Sequence, residues 1–480
     1  MRIPQASLIA LSLLGLPLLT ALGDESVEIG SQRELFVDHH LIDQLDGARL
    51  KLHSPQPREI VFRFDQPWEG IYSGYETIIK DGAQFRLYYR GLSDAIHAID
   101  SEVTCVAESQ DGIQWTRPNV SKFSWRGIQD NNIVLMKNRG CHNFAPFLDA
   151  NPNCPENERY KALGGSGNPG LLAYASPNGI DWRQLQEDPV ITKGKFDSQN
   201  NAFWSVAESQ YVCYFRVFRD GTRWIARVTS PDFIHWSEPT DLELDGKPRQ
   251  QLYTNQIHPY PRAPHIYLGF PTRFMAGRRV VTEKEAAEIG TPSQWNYAND
   301  CTDVLFASTR GGTNFKRTFL DAFVRPGADL RNWTSRSNYA ARGIMQTDDR
   351  ELSIYVKHQS GYPSIHVRRY TLRPDGFVSV NAAYAGGELI TRPIRFSGST
   401  LFVNYATSAA GGMKVELRSE NGDPIRGFTF DDCPEMIGDR LDHPVRWIPS
   451  SDLAKLQGQS IRLCVRLQDA DLYSLQFRND

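Results

Sequence analysis

Three stretches of this chain carry one pattern: Ser109-Gln110-Asp111-Gly112-Ile113-Gln114-Trp115, Ser176-Pro177-Asn178-Gly179-Ile180-Asp181-Trp182 and Ser230-Pro231-Asp232-Phe233-Ile234-His235-Trp236. Each follows a run suited to a strand, places turn chemistry at its centre and brings a Trp to the far side, where the hairpin meets its neighbour. Weaker copies stand at Ser308-Thr309-Arg310-Gly311-Gly312, ahead of Phe315, and at Arg373-Pro374-Asp375-Gly376-Phe377. The copies lie roughly 55 to 80 residues apart, too far for one hairpin each, so the repeating unit is a sheet of several strands. Five such sheets predict an all-β fold: a five-bladed β-propeller followed by a small C-terminal β-sandwich.

Period-2 alternation divides each blade into four strands, A to D from the axis outward. The A strands are expected at 75–80, 142–148, 200–206, 253–260 and 338–346, strand C of blade four at 303–308, and the outer strand of blade five at 377–380. Residues 34–38, a short apolar strand with no partner nearby, are expected to fasten the ring by adding to the last blade. The longest connection joins strands B and C of blade four. It contains the one helical stretch, 282–289, rich in Glu and Ala, and is read as a lid over a site. The organisation expected is a signal peptide at 1–23, the propeller at 30–385 and the sandwich at 386–480, with Asn421-Gly422 as a hairpin turn in the last.

The signal peptide rests on Arg2, the apolar run 8–19 and the small Ala21 and Gly23 ahead of Asp24, and it predicts export to the periplasm or beyond. No later stretch approaches the ~20 apolar residues of a membrane span. Charged residues make up 23 % with a net charge of −3 and both signs interspersed, which leaves no basic stripe for nucleic acid. Seven cysteines without C-x-x-C spacing argue against zinc, and they leave open a Cys141–Cys154 bridge, a Cys433–Cys464 bridge or buried free thiols. Ten Trp and nineteen Tyr suit a β core, with some rings left over for stacking on sugars.

In a propeller the start of A, the end of B and the start of C share one face. That rule gathers Glu76, Asn143, Asp197, Gln199, Asn200, Asn255, Gln256, Asn338 and Tyr339 from A strands. It adds Arg90, Arg216 and Arg273 from the ends of B strands, and Glu102 and Asp303 from the starts of C strands. Amides, guanidinium groups and carboxylates converging on one funnel are what a polyhydroxylated ligand requires. Hydrolysis of a glycosidic bond needs two carboxyl groups, one protonated and one ionised. Asp197 is the first candidate, Glu76 lies in a similar place, and Glu102 or Asp303 could supply the acid. The amides, the three arginines and Tyr339 are candidate substrate-binding residues. His142 and His258 are read as satisfied hydrogen-bonding residues. The residues demand no cofactor; an axial calcium ion is compatible with the fold.

The repeats, the signal peptide and the Ser-x-Asp-Gly-x-x-Trp turns, which are similar to a shortened sialidase Asp-box, give residues 30–385 their likeness. They resemble the secreted five-bladed propeller glycosidases, the arabinanase, levansucrase and invertase superfamily with glycoside hydrolase families 43 and 32. The family 32 motifs Trp-Met-Asn-Asp-Pro-Asn-Gly, Arg-Asp-Pro and Glu-Cys are absent, so only the scheme of carboxylates on the first blades carries over. The resemblance implies an exported glycoside hydrolase acting on a plant or algal oligo- or polysaccharide, the arginines suiting a sulfated or uronic one. The alternatives are a non-catalytic carbohydrate-binding propeller and a sialidase-like enzyme, whose Tyr nucleophile and Glu partner are not identifiable here.

Overall fold

The computed structural model describes residues 26–93, 101–449 and 452–479; the expected signal peptide lies outside them. Five sheets surround one axis. Blades one to three are four-stranded and antiparallel. Their innermost strands are Gly74–Asp81, Ala145–Leu148 and Asn201–Ser205, each followed outward by its successors in chain order. Blade four orders His258–Tyr260, Ala263–Gly269, Ala307–Thr309 and Phe315–Lys316. In blade five Tyr339–Ala340 and Met345–Asp348 share Glu351–His358 as partner, which then pairs with His366–Leu372.

The repeated turn is an interblade clamp. Asp111 Oδ1 accepts from the backbone N–H of Ile113 at 2.7 Å and of Gln114 at 2.8 Å, while Trp115 Nε1 donates to the Gly112 carbonyl at 3.1 Å. Asn178 with Trp182 and Asp232 with Trp236 repeat these bonds. The turn residue before each Ile sits at φ 74, 75 and 70 in Gly112, Gly179 and Phe233. The carbonyls of the two glycines also accept from the preceding blade in the ring, from Tyr355 Oη at 2.8 Å and Tyr88 Oη at 2.9 Å. Phe233 has no such bond and packs its ring on Phe147 and Tyr211 instead.

The ring closes differently from expectation. Its fastening strand is Gln56–Arg63, which pairs antiparallel with His366–Leu372 as the outer strand of blade five. Residues 34–38 instead contribute Arg33–Leu35 to the long last strand, Ile461–Arg478. The reason is burial: Leu35, Phe36 and Val37 are covered on both sides, by the second module and by blades four and five. An outer edge suits the largely exposed Gln56–Arg63 better.

The expected outer strand at 377–380 likewise belongs to the second module, where Val378–Ala382 pairs with Ala48–Leu52 and Ile461–Arg478. The chain leaves the propeller at Asp375, a fully buried carboxylate that accepts from Arg33, Arg262, Tyr260 and Ser474. That second module is a ten-stranded sheet bent over its own core of Leu389, Val415, Leu463 and Phe477. Four of its strands, within residues 27–52, come from the N-terminal side. All seven cysteines are free, so neither bridge forms.

The insertion in blade four is a hairpin of Thr272–Met275 with Cys301–Val304 and the helix Glu283–Glu288. Thr282 and Glu285 form a reciprocal cap at the helix start. Strand C was expected at 303–308; Asp303 and Val304 instead pair within the insertion hairpin, and strand C begins at Ala307.

Candidate functional site

The leading residues of the inner strands break the strand geometry. Tyr75, Asn143, Gln256 and Asn338 lie at φ 57, 55, 50 and 59. Asn tolerates the left-handed region because its short polar side chain bonds locally, whereas Tyr75 is held there against a cost of order 1–2 kcal/mol. In blade one this is a bulge between Gly74 and Thr77.

One consequence concerns the amides. Asn143, Gln199, Asn200, Asn255, Gln256 and Asn338 are at most 1 % exposed. Gln199 Nε2 donates to Thr77 Oγ1 at 2.7 Å, Gln256 Nε2 to the Ala340 carbonyl at 2.7 Å and Asn143 Nδ2 to the Ser198 carbonyl at 3.0 Å. Asn255 bonds the Tyr214 carbonyl, Asn338 the Thr302 carbonyl and Asn200 the Ser198 carbonyl. Beneath the funnel Asn143, Asn255, Gln256 and Asn338 tie neighbouring blades together, Gln199 spans from blade three to blade one, and Asn200 bonds within blade three. Further along, Arg342 donates to the carbonyls of Pro146 at 2.7 Å and Ala202 at 2.9 Å, tying blade five to blades two and three. Calcium takes six to eight oxygen ligands. Among the described residues no cluster of acids, His or Cys offers such a set, and Arg342 brings positive charge to the axis, so the residues present do not fit an axial calcium.

Above these braces opens a cavity of 190 Å³. Its floor is aromatic: Tyr253 lies 5.4 Å from Tyr339 and 5.8 Å from Phe274, and Tyr339 lies 6.3 Å from Tyr75, ring centre to ring centre. Cations stand against these rings: Arg90 is 4.8 Å from Tyr75, Arg216 4.8 Å from Tyr253 and Lys357 4.9 Å from Tyr339. Arg336 stacks on Tyr297 at the rim.

On one wall His142 is clasped between two carboxylates. Its Nδ1 is 2.9 Å from Glu102 Oε1, and its Nε2 is 3.1 Å from Asp197 Oδ1. Burial would lower the His142 pKa, but the bonds to Asp197 and Glu102 raise it above its ordinary value, which favours the protonated ring with a donor on each side. Asp197, with 60 % of its side chain exposed, is the acid that lines the cavity. Burial of its surroundings would raise the carboxyl, yet His142, Arg216 and Arg90 hold it far below the usual carboxylate range. Glu102 is also paired with Arg90 at 3.3 Å, and Arg90 donates to Asn143 Oδ1 at 3.0 Å.

The remaining candidates separate. Glu76 is 1 % exposed, and neither of its carboxyl oxygens has a hydrogen-bond partner. Burial raises its pKa against the pull of Lys357. Asp303 is gripped by Arg273, Nε to Oδ1 at 2.9 Å, on the insertion hairpin; neither lines the cavity. Sequence reasoning did not single out Tyr75, Tyr253, Arg336, Lys357 or the bridging role of His142. Lys357 ends strand B of blade five, where the rule that found Arg90 and Arg216 would have found it.

No protein-family model and no curated protein matches the chain. Solved structures similar to it include a glycoside hydrolase family 43 arabinoxylan arabinofuranohydrolase from Bacillus subtilis in complex with cellotetraose. That match has 10 % identity over 89 % of this chain and 99 % of the other, with a TM-score of 0.40. A glycosyl hydrolase from Bacteroides ovatus matches at 13 % identity over 72 % and 97 %, TM-score 0.39. An N-acetylgalactosamine deacetylase from F. plautii in complex with blood group B trisaccharide matches at 11 % over 68 % and 95 %, TM-score 0.43. Similarity at this level assigns no activity to the chain.

Proposed function

We propose that this protein is an exported glycoside hydrolase-like propeller that takes the end of a saccharide chain into the axial cavity. One observation carries the reading: an ionised, accessible carboxylate, Asp197, stands at the rim of a floor of tyrosine rings. Aromatic faces accept the apolar face of a sugar, and the surrounding cations donate to its hydroxyl groups. At 190 Å³ the cavity is smaller than the about 300 to 1,000 Å³ that encloses a drug-sized molecule, so it suits a single terminal sugar unit. Export rests on the apolar run 8–19. Among the described residues no helix is long and apolar enough to cross a membrane.

In this reading Asp197 takes the proton of a water as its oxygen bonds to the anomeric carbon. The glycosidic carbon–oxygen bond breaks, and the leaving oxygen receives a proton from a carboxyl group. Glu76, whose carboxyl burial shifts towards the protonated form, is assigned that role and fills it once substrate binding opens access to it. The competing reading is a propeller that binds saccharide without cleaving it, favoured by one accessible carboxylate rather than two lining the cavity among the described residues. Incubating the full chain with a panel of plant and algal polysaccharides separates the two. Release of reducing ends that disappears in Asp197→Asn and Glu76→Gln supports hydrolysis, and retention on the polysaccharide without release supports binding alone.

A further inference from the structure

The cavity has an unbalanced charge at its base. Lys357 lines it while only 3 % exposed, and among the described residues its ammonium has one acceptor, the Ser73 carbonyl at 3.4 Å. An ammonium carries three donors, so most of its hydrogen-bonding capacity points into the cavity. Glu76, the nearest acid in charge terms, forms no ion pair with it and is itself driven towards the neutral form by burial. Asp197 is already engaged with His142 and Arg216. Beside the ammonium, Tyr339 also lines this cavity; it is 2 % exposed, and its hydroxyl has no partner among the described residues. The chain makes room for this group: Gly74, at φ 154, leaves a gap that a Cβ would close to 2.4 Å from Lys357 Nζ.

A buried charge without a partner costs several kcal/mol, and a neutral sugar would leave that cost in place. We infer that Lys357 and Tyr339 seat a negatively charged substituent of the sugar, a carboxylate or a sulfate ester, at the base of the axial cavity. Among the described residues the other lining charges are Arg90 and Arg336 against the single carboxylate of Asp197, so the balance is positive. Burial brings Lys357 down to about 8, which leaves it an ammonium at neutral pH. This inference rests on the saccharide reading above and narrows it to acidic sugars.

Calorimetric titration of the full chain with glucuronic acid, N-acetylglucosamine 6-sulfate and glucose, in parallel with Lys357→Met and Lys357→Arg, tests it. The expected result is an acidic sugar bound tenfold or more tighter than glucose. Lys357→Met should lose about ten- to hundred-fold of that affinity, the range of a hydrogen bond to a charged group, and Lys357→Arg should restore part of it. Whichever acidic sugar binds more tightly identifies the substituent. If Lys357→Met does not fold, as judged by its thermal melt, Lys357→Gln takes its place. Glucose bound as tightly as both acidic sugars, or a folded Met or Gln variant with unchanged affinity for them, overturns the seat and leaves the saccharide reading standing. Failure of the native protein to bind any sugar or polysaccharide overturns that reading, and the seat falls with it.

Discussion

His142 Nε2 and Asp197 Oδ1 meet at 3.1 Å across the boundary between blades two and three. The same ring reaches back to Glu102 of blade one, so a single imidazole fixes the orientation of the one carboxylate that lines the cavity among the described residues. Its neighbour Asn143 bonds the Ser198 carbonyl of blade three, and the two contacts position Asp197 together.

The pair gives the protein a pH signature. Asp197 has a depressed pKa, so its contribution to stability is present above the ordinary value of about 3.9 and is lost as pH falls through the depressed one. His142 has a raised pKa, so its contribution is complete below the ordinary value of about 6.5 and is lost as pH rises through the raised one. Stability from this contact is therefore greatest between about pH 4 and 6.5. His142→Gln should flatten the decline in melting temperature above that window, and NMR should find the Asp197 carboxyl titrating closer to its ordinary range. An unchanged decline in the variant would show that other groups produce it.

Arg342 is a structural cation. Replacing it with Met leaves the Pro146 and Ala202 carbonyls without their donor, at a cost of about 1 to 3 kcal/mol for each buried group left unsatisfied. Denaturation in urea should show Arg342→Met less stable by about 2 to 6 kcal/mol, with the blades' strand content intact in the folded state by circular dichroism. Equal stability would mean that water replaces the guanidinium.

Phe233 occupies a left-handed position that glycine fills in the two sister turns. Phe233→Gly relieves a backbone cost of about 1 to 2 kcal/mol and removes a fully buried ring, whose loss costs about 3 to 5 kcal/mol. Packing outweighs strain, so the variant should melt earlier than the native protein. A variant that melts later would reverse that ranking.

The repeated turn was legible because its chemistry is local: Ser, Asp or Asn, and Trp act within seven residues. The placement of Asp197, Arg90, Arg216 and Tyr339 around one mouth followed from strand direction alone. The amides were not legible. Left-handed backbone at Asn143, Gln256 and Asn338 interrupts the alternation on which their assignment to the funnel rested, and turns them towards neighbouring blades. The Arg273–Asp303 pair went to an insertion hairpin whose strands match the blade strands in composition. Ring closure by Gln56–Arg63 left little trace, since an exposed outer strand lacks a continuous apolar face, whereas the more apolar 34–38 was claimed by two cores at once.

The central claim is that Asp197 is the ionised carboxylate of a saccharide-cleaving site. Its most direct test is the rate of reducing-end release from acidic polysaccharides by the native chain and by Asp197→Asn, with binding to the same polysaccharides measured alongside. Release should fall by about a thousandfold or more in the variant, equivalent to roughly 4 kcal/mol of transition-state stabilisation, with binding changed little. Release that survives in Asp197→Asn would contradict it.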